Sequence, residues 1–338
     1  MVTGHTGFKG AWLSEWLGHM GSIVSGFALP PSGDRNLYAE LQLNRRMDCS
    51  FGDIRDRNAF EKRLAQAGPE FVFHLAAQPL VRQSYTEPVE TFETNVMGTV
   101  NVLDAIRRVD SVRSVVVVTS DKCYQNREWS WGYRENEPLG GEDPYSSSKA
   151  AAELATHAFR SSFFRNGVGI ATVRAGNVIG GGDWSPDRLV PDLVNAAFTS
   201  GEARLRYPGA IRPWQHVLEP LCGYLTLARR LFEDPGGFSE AWNFGPRADD
   251  TLTVAQVAER VLQSLGHHGK WIAHEGEHPH EAGLLSVDSS KAAGKLGWRA
   301  RLTAAQAIEW TGRWYREWHA GASARELTSA QIEEYCAG

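Results

Sequence analysis

Three glycines at three-residue spacing, Gly4, Gly7 and Gly10, open this 338-residue chain within the run Gly4-His5-Thr6-Gly7-Phe8-Lys9-Gly10. An amphipathic stretch comes directly after it. Glycines at a strand-to-helix turn let a phosphate approach the backbone closely, and a helix N-terminus offers unpaired N–H groups with partial positive charge. The spacing is GxxGxxG and not GxGxxG, so the run alone also fits an ordinary glycine turn into a helix. The downstream pattern narrows the choice. Apolar runs at Ser22–Leu29, Phe71–Leu75, Ser114–Thr119 and Gly169–Arg174 read as strands. They alternate with helical patterns over Lys9–Met20, Asp56–Ala67, Pro88–Val109, Pro144–Phe164 and Val190–Ser200. Phe71-Val72-Phe73-His74-Leu75 is continuously hydrophobic, as a strand covered on both faces should be.

This alternation predicts an α/β chain with a Rossmann-like, doubly wound parallel sheet. The sheet domain is expected over 1–179, with parts of the later chain returning to it. A smaller, mixed α/β substrate-binding lobe is expected over 180–338, where Gly180-Gly181-Gly182, Pro208-Gly209 and Pro235-Gly236-Gly237 punctuate the pattern. Only Met1-Val2-Thr3 precede the glycine motif, where such a sheet needs its central strand. A short first strand is therefore expected. Either the start is truncated or misassigned, or the chain manages with a stub that weakens the sheet and the cofactor site. Trp310, Trp314 and Trp318, at four-residue spacing, predict one apolar helix stripe packed onto the body.

Composition excludes several classes. Net charge is −5, and no basic stripe runs along a helical pattern, which argues against a nucleic-acid partner. No apolar run is long enough to span a bilayer, and the first residues lack the order of a secretory signal. The four cysteines, Cys49, Cys123, Cys222 and Cys336, have no metal or disulfide spacing and read as free thiols of a cytoplasmic protein. The eleven histidines are dispersed; His267, His268, His274, His278 and His280 lie in a polar stretch read as surface, with no metal site expected.

The chemistry concentrates in a second motif, Tyr145-Ser146-Ser147-Ser148-Lys149. Tyr145 and Lys149 are one helical turn apart and share a face. An ammonium near the phenol, with a positive nicotinamide, is expected to favour the phenolate, making Tyr145 a base for a sugar hydroxyl. Ser120 ends the preceding valine-rich strand and can bond the same hydroxyl. Asp121 and Lys122 come next in the chain. A simple dehydrogenase needs neither, but elimination of water beside a new ketone needs an acid and a base. Asp121 suits the acid; Lys122 suits the base only if burial and nearby positive charge lower its pKa. The alternative is a solvent-facing strand end. For the cofactor, the expected contacts are Gly4, Thr6, Gly7, Phe8 and Lys9, then Asp53 and Ile54 at the adenine. The small-residue strand end Leu75-Ala76-Ala77-Gln78 is expected to leave room for a flat ring, held open by Asn95, with Tyr145 and Lys149 completing the set. No acidic residue comes after Ala28-Leu29 to read a ribose hydroxyl, and Arg35 is the nearest arginine. The aromatic and charged segment 125–136 reads as a lid, a substrate wall, or a dimer or lobe contact.

GHTGFKG, HLAAQPLVRQSY, TSDKCYQN, REWSWGYRENEPLGGEDPYSSSK, VRAGNVIGGGDW and IRPWQHVLEP together resemble the extended short-chain dehydrogenase/reductases. More narrowly, they resemble the nucleotide-sugar 4,6-dehydratases acting on CDP-glucose. The resemblance covers nearly the whole chain, and TSDK, with Lys122 where related enzymes usually place glutamate, is its most specific part. It implies a tightly held NAD, oxidation at C4 aided by Tyr145, loss of water across C5–C6 with Asp121 as acid, and return of the hydride to C6. The C5 base is then Lys122 or a water it orders. It also implies substrate contacts at Arg82, Asn177, Arg188 and Arg212, and a homodimer built on the helices near Pro88–Val109 and Pro144–Phe164. The same resemblance implies a role in supplying 3,6-dideoxyhexoses to a bacterial surface polysaccharide. Two rivals stand beside it: a 4-epimerase, which would not need Asp121, and a non-catalytic NAD-binding regulatory protein.

Overall fold

A computed structural model describes residues 1–164, 167–199, 201–247, 250–266, 271–274 and 283–338. Seven parallel strands form the central sheet: β1 (Val2–Thr3), β2 (Ser25–Ala28), β3 (Asp48–Phe51), β4 (Phe71–His74), β5 (Ser114–Val118), β6 (Gly169–Ala175) and β7 (Ala241–Phe244). Their order is β7-β6-β5-β4-β1-β2-β3, so the chain winds outward one way from β1 and then the other way from β4. This is the doubly wound Rossmann-like arrangement, with its switch between β1 and β4. The expected strands are present with trimmed ends; the first begins at Ser25 because Ile23 is fully exposed in the preceding turn.

The valines of β5 show why the strand needs cover on both faces. Val115 and Val117 enter one apolar cluster, while Val116 enters the other, as the two-residue period of a strand requires. Helix α1 (Phe8–His19) starts at Gly7, whose position has no capping side chain, so its first N–H groups face the glycine loop. Helix α2 is Arg57–Ala67. The long helix predicted over Pro88–Val109 is divided: Pro88–Phe92 and Gly98–Ile106 are α-helical, joined by a wide π turn at Glu93–Met97. We number the two α-helical parts α3 and α4. Helix α5 (Pro144–Phe163) begins with proline at its first turn and with Asp143, whose carboxylate accepts from the Ser146 N–H at 2.9 Å. That Asp-Pro start fixes Tyr145 in the first turn and Lys149 one turn further in.

Beyond β6 come α6 (Leu189–Thr199) and α7 (Leu218–Glu233). The later chain is mixed, with short strand pairs linking Val178–Ile179 to Gln215–His216, Ile211–Arg212 to Leu252–Thr253, and Ala203–Leu205 to Trp271–Ala273. It also returns β7 to the edge of the main sheet beside β6. Trp314 is wholly buried on the Ala304–His319 helix, and Trp310 and Trp318 pack against the same core, so the tryptophan stripe serves packing. No described helix is long and apolar enough to cross a membrane. The four cysteines are free, and no metal-binding cluster is found among the described residues. His267, His268, His278 and His280 lie outside the described residues.

Candidate active site

A cleft of about 1770 Å³ runs along the carboxyl ends of the strands. The glycine loop forms one end. Gly4 has φ +74°, and a Cβ there would stand 2.7 Å from the Ala76 nitrogen; a Cβ on Gly10 would stand 2.1 Å from the Gly4 oxygen. Both positions therefore require glycine for the loop to close against the end of β4. Thr6, Gly7, Phe8 and Lys9 line the cleft beside it, and Gly52, Asp53, Ile54 and Arg55 line it beyond β3. The Asp53 carboxylate is tied to Arg55 through the backbone N–H at 2.8 Å and the guanidinium at 2.6 Å. Leu75, Ala76, Ala77 and Gln78 form the wall after β4. Asn95 holds that wall from behind: its side chain accepts from the Gln78 N–H at 2.8 Å, and donates to the Gln78 carbonyl at 3.1 Å and to Ser148 at 2.9 Å.

The chemical groups meet at the ends of β5 and β6. Ser120 caps the short turn Asp121–Cys123, accepting from the Lys122 N–H at 3.2 Å, and its hydroxyl donates to one Asp121 oxygen at 3.0 Å. Ser120 also stands close enough to the Tyr145 phenol to favour its charged form. Ser120, Asp121, Tyr145 and Lys149 are all buried, and all line the cleft. Lys122 is half-buried beside them.

In the protein alone the phenol of Tyr145 is pushed up to about 12, because burial outweighs the contributions of Ser120 and of the positive charge of Arg188; the expected phenolate rests on the added positive charge of a nicotinamide. The Lys149 ammonium lies 3.4 Å from the Val118 carbonyl, and burial pushes it down to about 8. Sequence spacing reports a neighbour one turn away but not the desolvation of both groups. Lys9 is the second depressed lysine, brought to about 8 by burial and by Arg188, with Asp121 opposing.

The four substrate candidates all reach this cleft. Arg188 pairs with Asp183 at 3.1 Å, and Arg82, from the far side, pairs with Asp187 at 3.0 Å. Arg212 is buried on its short strand, donating to the Ile211 and Gly283 carbonyls, while the Asn177 carbonyl accepts from Gln215. The sequence reading missed Arg206, which lies 3.6 Å from Asp187, and the acidic partners Asp183 and Asp187 themselves. Their signal, an Asp-rich turn directly before an apolar helix, is common enough to pass unnoticed. Of the segment 125–136, Asn126 and Glu128 line the cleft, while Trp129 and Tyr133 stack on each other with ring centroids 5.5 Å apart.

A parallel doubly wound sheet, a glycine cradle and a Tyr-x-x-x-Lys pair beside a Ser-Asp strand end define a short-chain dehydrogenase/reductase type of site. The chain belongs to the family described as GDP-mannose 4,6 dehydratase, whose sequence profile it matches over residues 1–230. It is 49% identical to a CDP-glucose 4,6-dehydratase of Salmonella typhimurium, over 99% of this chain and 95% of that one. A dTDP-glucose 4,6-dehydratase from Streptomyces venezuelae, solved with NAD bound, superposes with TM-score 0.80 at 26% identity, covering 94% of this chain and 96% of that one. A UDP-glucose-4-epimerase from Stenotrophomonas maltophila shares the fold, with TM-score 0.83 at 20% identity over 95% and 98% of the two chains.

Proposed function

We propose that this protein is a CDP-D-glucose 4,6-dehydratase, a hydro-lyase that uses NAD to convert CDP-D-glucose into CDP-4-keto-6-deoxy-D-glucose and water. The observation that carries the reading is full-length similarity at 49% identity to an enzyme of that name, in a chain whose Ser120, Asp121, Tyr145 and Lys149 share one cleft wall. The cleft also suits two ligands at once, since one drug-sized ligand fills about 300–1,000 Å³.

The residues present fit NAD. Gly4, Gly7 and Gly10 leave a cradle that any Cβ would fill at Gly4 or Gly10, and the uncapped start of α1 points N–H donors toward it. Ile54, Ala76 and Ala77 supply apolar walls. NAD held there would supply a two-electron acceptor for C4 and donor for C6. The chain's own groups do the proton work. Tyr145, beside Ser120 and one turn from Lys149, takes the C4 hydroxyl proton, its phenolate favoured by the positive charge that a bound nicotinamide would add. The C4 ketone acidifies C5–H. As C5 gives up its proton to Lys122 or to a water it orders, Asp121 protonates the C6 hydroxyl, which leaves as water. C6 then receives the hydrogen first removed from C4, C5 takes a proton, and no net redox change remains. Arg188, Arg212, Arg82 and Asn177 are assigned to the nucleotide diphosphate, whose oxygens match a guanidinium fork.

Homodimer formation belongs to the same reading. Val89 and Met97 on the 88–106 segment, and Leu154 and Phe163 on α5, are large apolar side chains between 51% and 70% exposed. A second copy covering both segments as a four-helix bundle would bury them. The proposal also assigns the enzyme to the cytoplasm, upstream of a 3,6-dideoxyhexose such as those of O-antigen.

The deciding experiment incubates the protein and NAD with CDP-, dTDP-, GDP- and UDP-hexoses and weighs the products. Loss of one water from CDP-glucose is expected. An isomer of unchanged mass would make the protein an epimerase, and inertness toward the whole panel would leave it a non-catalytic NAD-binding protein.

A further inference from the structure

Two buried polar atoms near the reaction centre have no hydrogen-bond partner: the second Asp121 carboxyl oxygen, Oδ2, and the Tyr224 hydroxyl. An orphaned buried donor or acceptor ordinarily costs stability, so each asks for a reason. Oδ1 is already engaged by Ser120. Tyr224 is wholly buried in the middle of α7 and absent from every role assigned above.

The fold brings both residues to the carboxyl ends of the strands. Helix α7 runs antiparallel to β5: near its end, the Ala228 carbonyl accepts from the hydroxyl of Ser114, the first residue of β5, at 2.8 Å. Tyr224 lies one turn closer to the helix start. Helix side chains lean toward the N-terminus, so its ring leans toward the carboxyl ends of the strands, where Asp121 sits. The ring packs edge-on against Phe244, the last residue of β7, with centroids 5.7 Å apart. Phe244 is in register with Ala175 of β6, and Asp121 Oδ2 lies 3.1 Å from where a Cβ would stand on the next residue, Gly176. Burial, with the charge of Asp121 beside it, holds the Tyr224 phenol well above its ordinary range. It therefore stays protonated and can donate a hydrogen bond.

We infer that Tyr224 is the positioning residue for Asp121, its hydroxyl donating to Oδ2 through one bridging water while Ser120 engages Oδ1, so that the carboxyl group is held to deliver its proton to the departing C6 hydroxyl. The donor gains strength as negative charge develops on the carboxyl group, which is when the acid gives up its proton. It never touches the substrate. This inference rests on the dehydratase reading.

Tyr224→Phe removes one oxygen and leaves the ring in place. Because no protein group bonds that oxygen and the ring's packing is kept, folding should be little affected and the melting temperature nearly unchanged. Losing a hydrogen bond to a charged group, about 10–100-fold in rate, should fall on kcat alone, with KM for CDP-glucose unchanged. C4 oxidation should proceed while water loss slows, so the near-ultraviolet absorbance of reduced nicotinamide should rise during turnover. Combined with Asp121→Asn, the second change should add no further loss, since both remove the same proton delivery. Unchanged kcat in Tyr224→Phe, a slowed appearance of reduced nicotinamide, or full additivity with Asp121→Asn would each overturn the inference. Those outcomes are read in a wild-type enzyme that dehydrates CDP-glucose; a wild type that does not would instead remove the functional reading.

Discussion

Helix α5 carries Tyr145 and Lys149, and one buried carboxylate one turn further along binds it to the sheet. Glu153 accepts from the Thr119 hydroxyl at 2.5 Å, from the Thr172 hydroxyl at 2.7 Å, and from the Arg174 guanidinium at 2.9 and 2.8 Å. Both members of the ion pair are 3% exposed. Replacing Glu153 with glutamine keeps the shape but removes the charge and turns an amide N–H₂ toward donors. Arg174 keeps the Tyr124 hydroxyl and the Glu135 carbonyl, yet loses its counter-charge in a dry site. Breaking a buried pair from one side costs about 3–5 kcal/mol. At about 2 °C per kcal/mol, the slope for larger chains, the melting temperature should fall by about 6–10 °C.

The loss also has a pH signature. Burial alone would raise the Glu153 carboxyl, but the charge and hydrogen bonds of Arg174, with the two threonines, hold it below its ordinary 4.5. A depressed folded-state value stabilises the protein above 4.5 and loses that contribution as pH falls through the folded value. The gap between wild type and Glu153→Gln should therefore be full near neutrality and narrow in acid. Thermal melts across that range, followed by circular dichroism, test both parts. A melting temperature within about 2 °C of wild type at pH 7 would refute the reasoning, since it would mean that the lost pair was worth only about 1 kcal/mol. A gap that widened in acid would refute the sign.

The remaining predictions concern the reaction. Tyr145→Phe should abolish turnover while NAD stays bound, measured by product mass and by cofactor co-eluting on gel filtration; near-normal activity would take the proton transfer away from this phenol. Asp121→Asn should allow C4 oxidation and stall before water loss, with reduced nicotinamide accumulating in the absorbance spectrum, whereas an unchanged product yield would show that the acid lies elsewhere. Gly4→Ala should cost NAD affinity and stability together, because the new Cβ meets backbone at 2.7 Å and the residue sits at φ +74°; calorimetric titration with NAD checks the first and a melt the second.

What the sequence revealed was local. The glycine spacing, the valine run of β5 and the Asp-Pro start of α5 are each readable within a dozen residues, because each obeys a short-range rule of backbone conformation or periodicity. What it concealed depends on contacts between distant segments. Nothing near Glu153 announces Arg174, 21 residues away, nor does Arg82 announce Asp187, 105 residues away. The return of Ala241–Phe244 to the sheet edge was invisible in detail because four residues beside a turn carry too little periodic pattern. The burial of Tyr145 and Lys149 was hidden for a related reason. A lysine at the right spacing is visible in the sequence, whereas burial of both groups is a property of the assembled cleft.

The two-residue β1 shows how little a strand must supply when its neighbours fix the rest. Val2 is in register with Gly26 on one side and Phe73 on the other, and Thr3 with Phe27 and His74. The Met1 nitrogen lies 2.6 Å from the Phe71 carbonyl, extending the pairing toward the start of β4. At the other end, the Thr3 hydroxyl lies 2.7 Å from His74 and accepts from the N–H groups of Leu75 and Ala76, both at 3.2 Å. The Gly4 N–H then donates to the Phe27 carbonyl at 2.9 Å. The switch point of the sheet lies between β1 and β4, and the site needs two things there: a glycine loop aimed across the strand ends, and a wall after β4 held open for a flat ring. Thr3 and Gly4 secure both through bonds to strands that are themselves complete. The geometry the site depends on is fixed there by register on both sides.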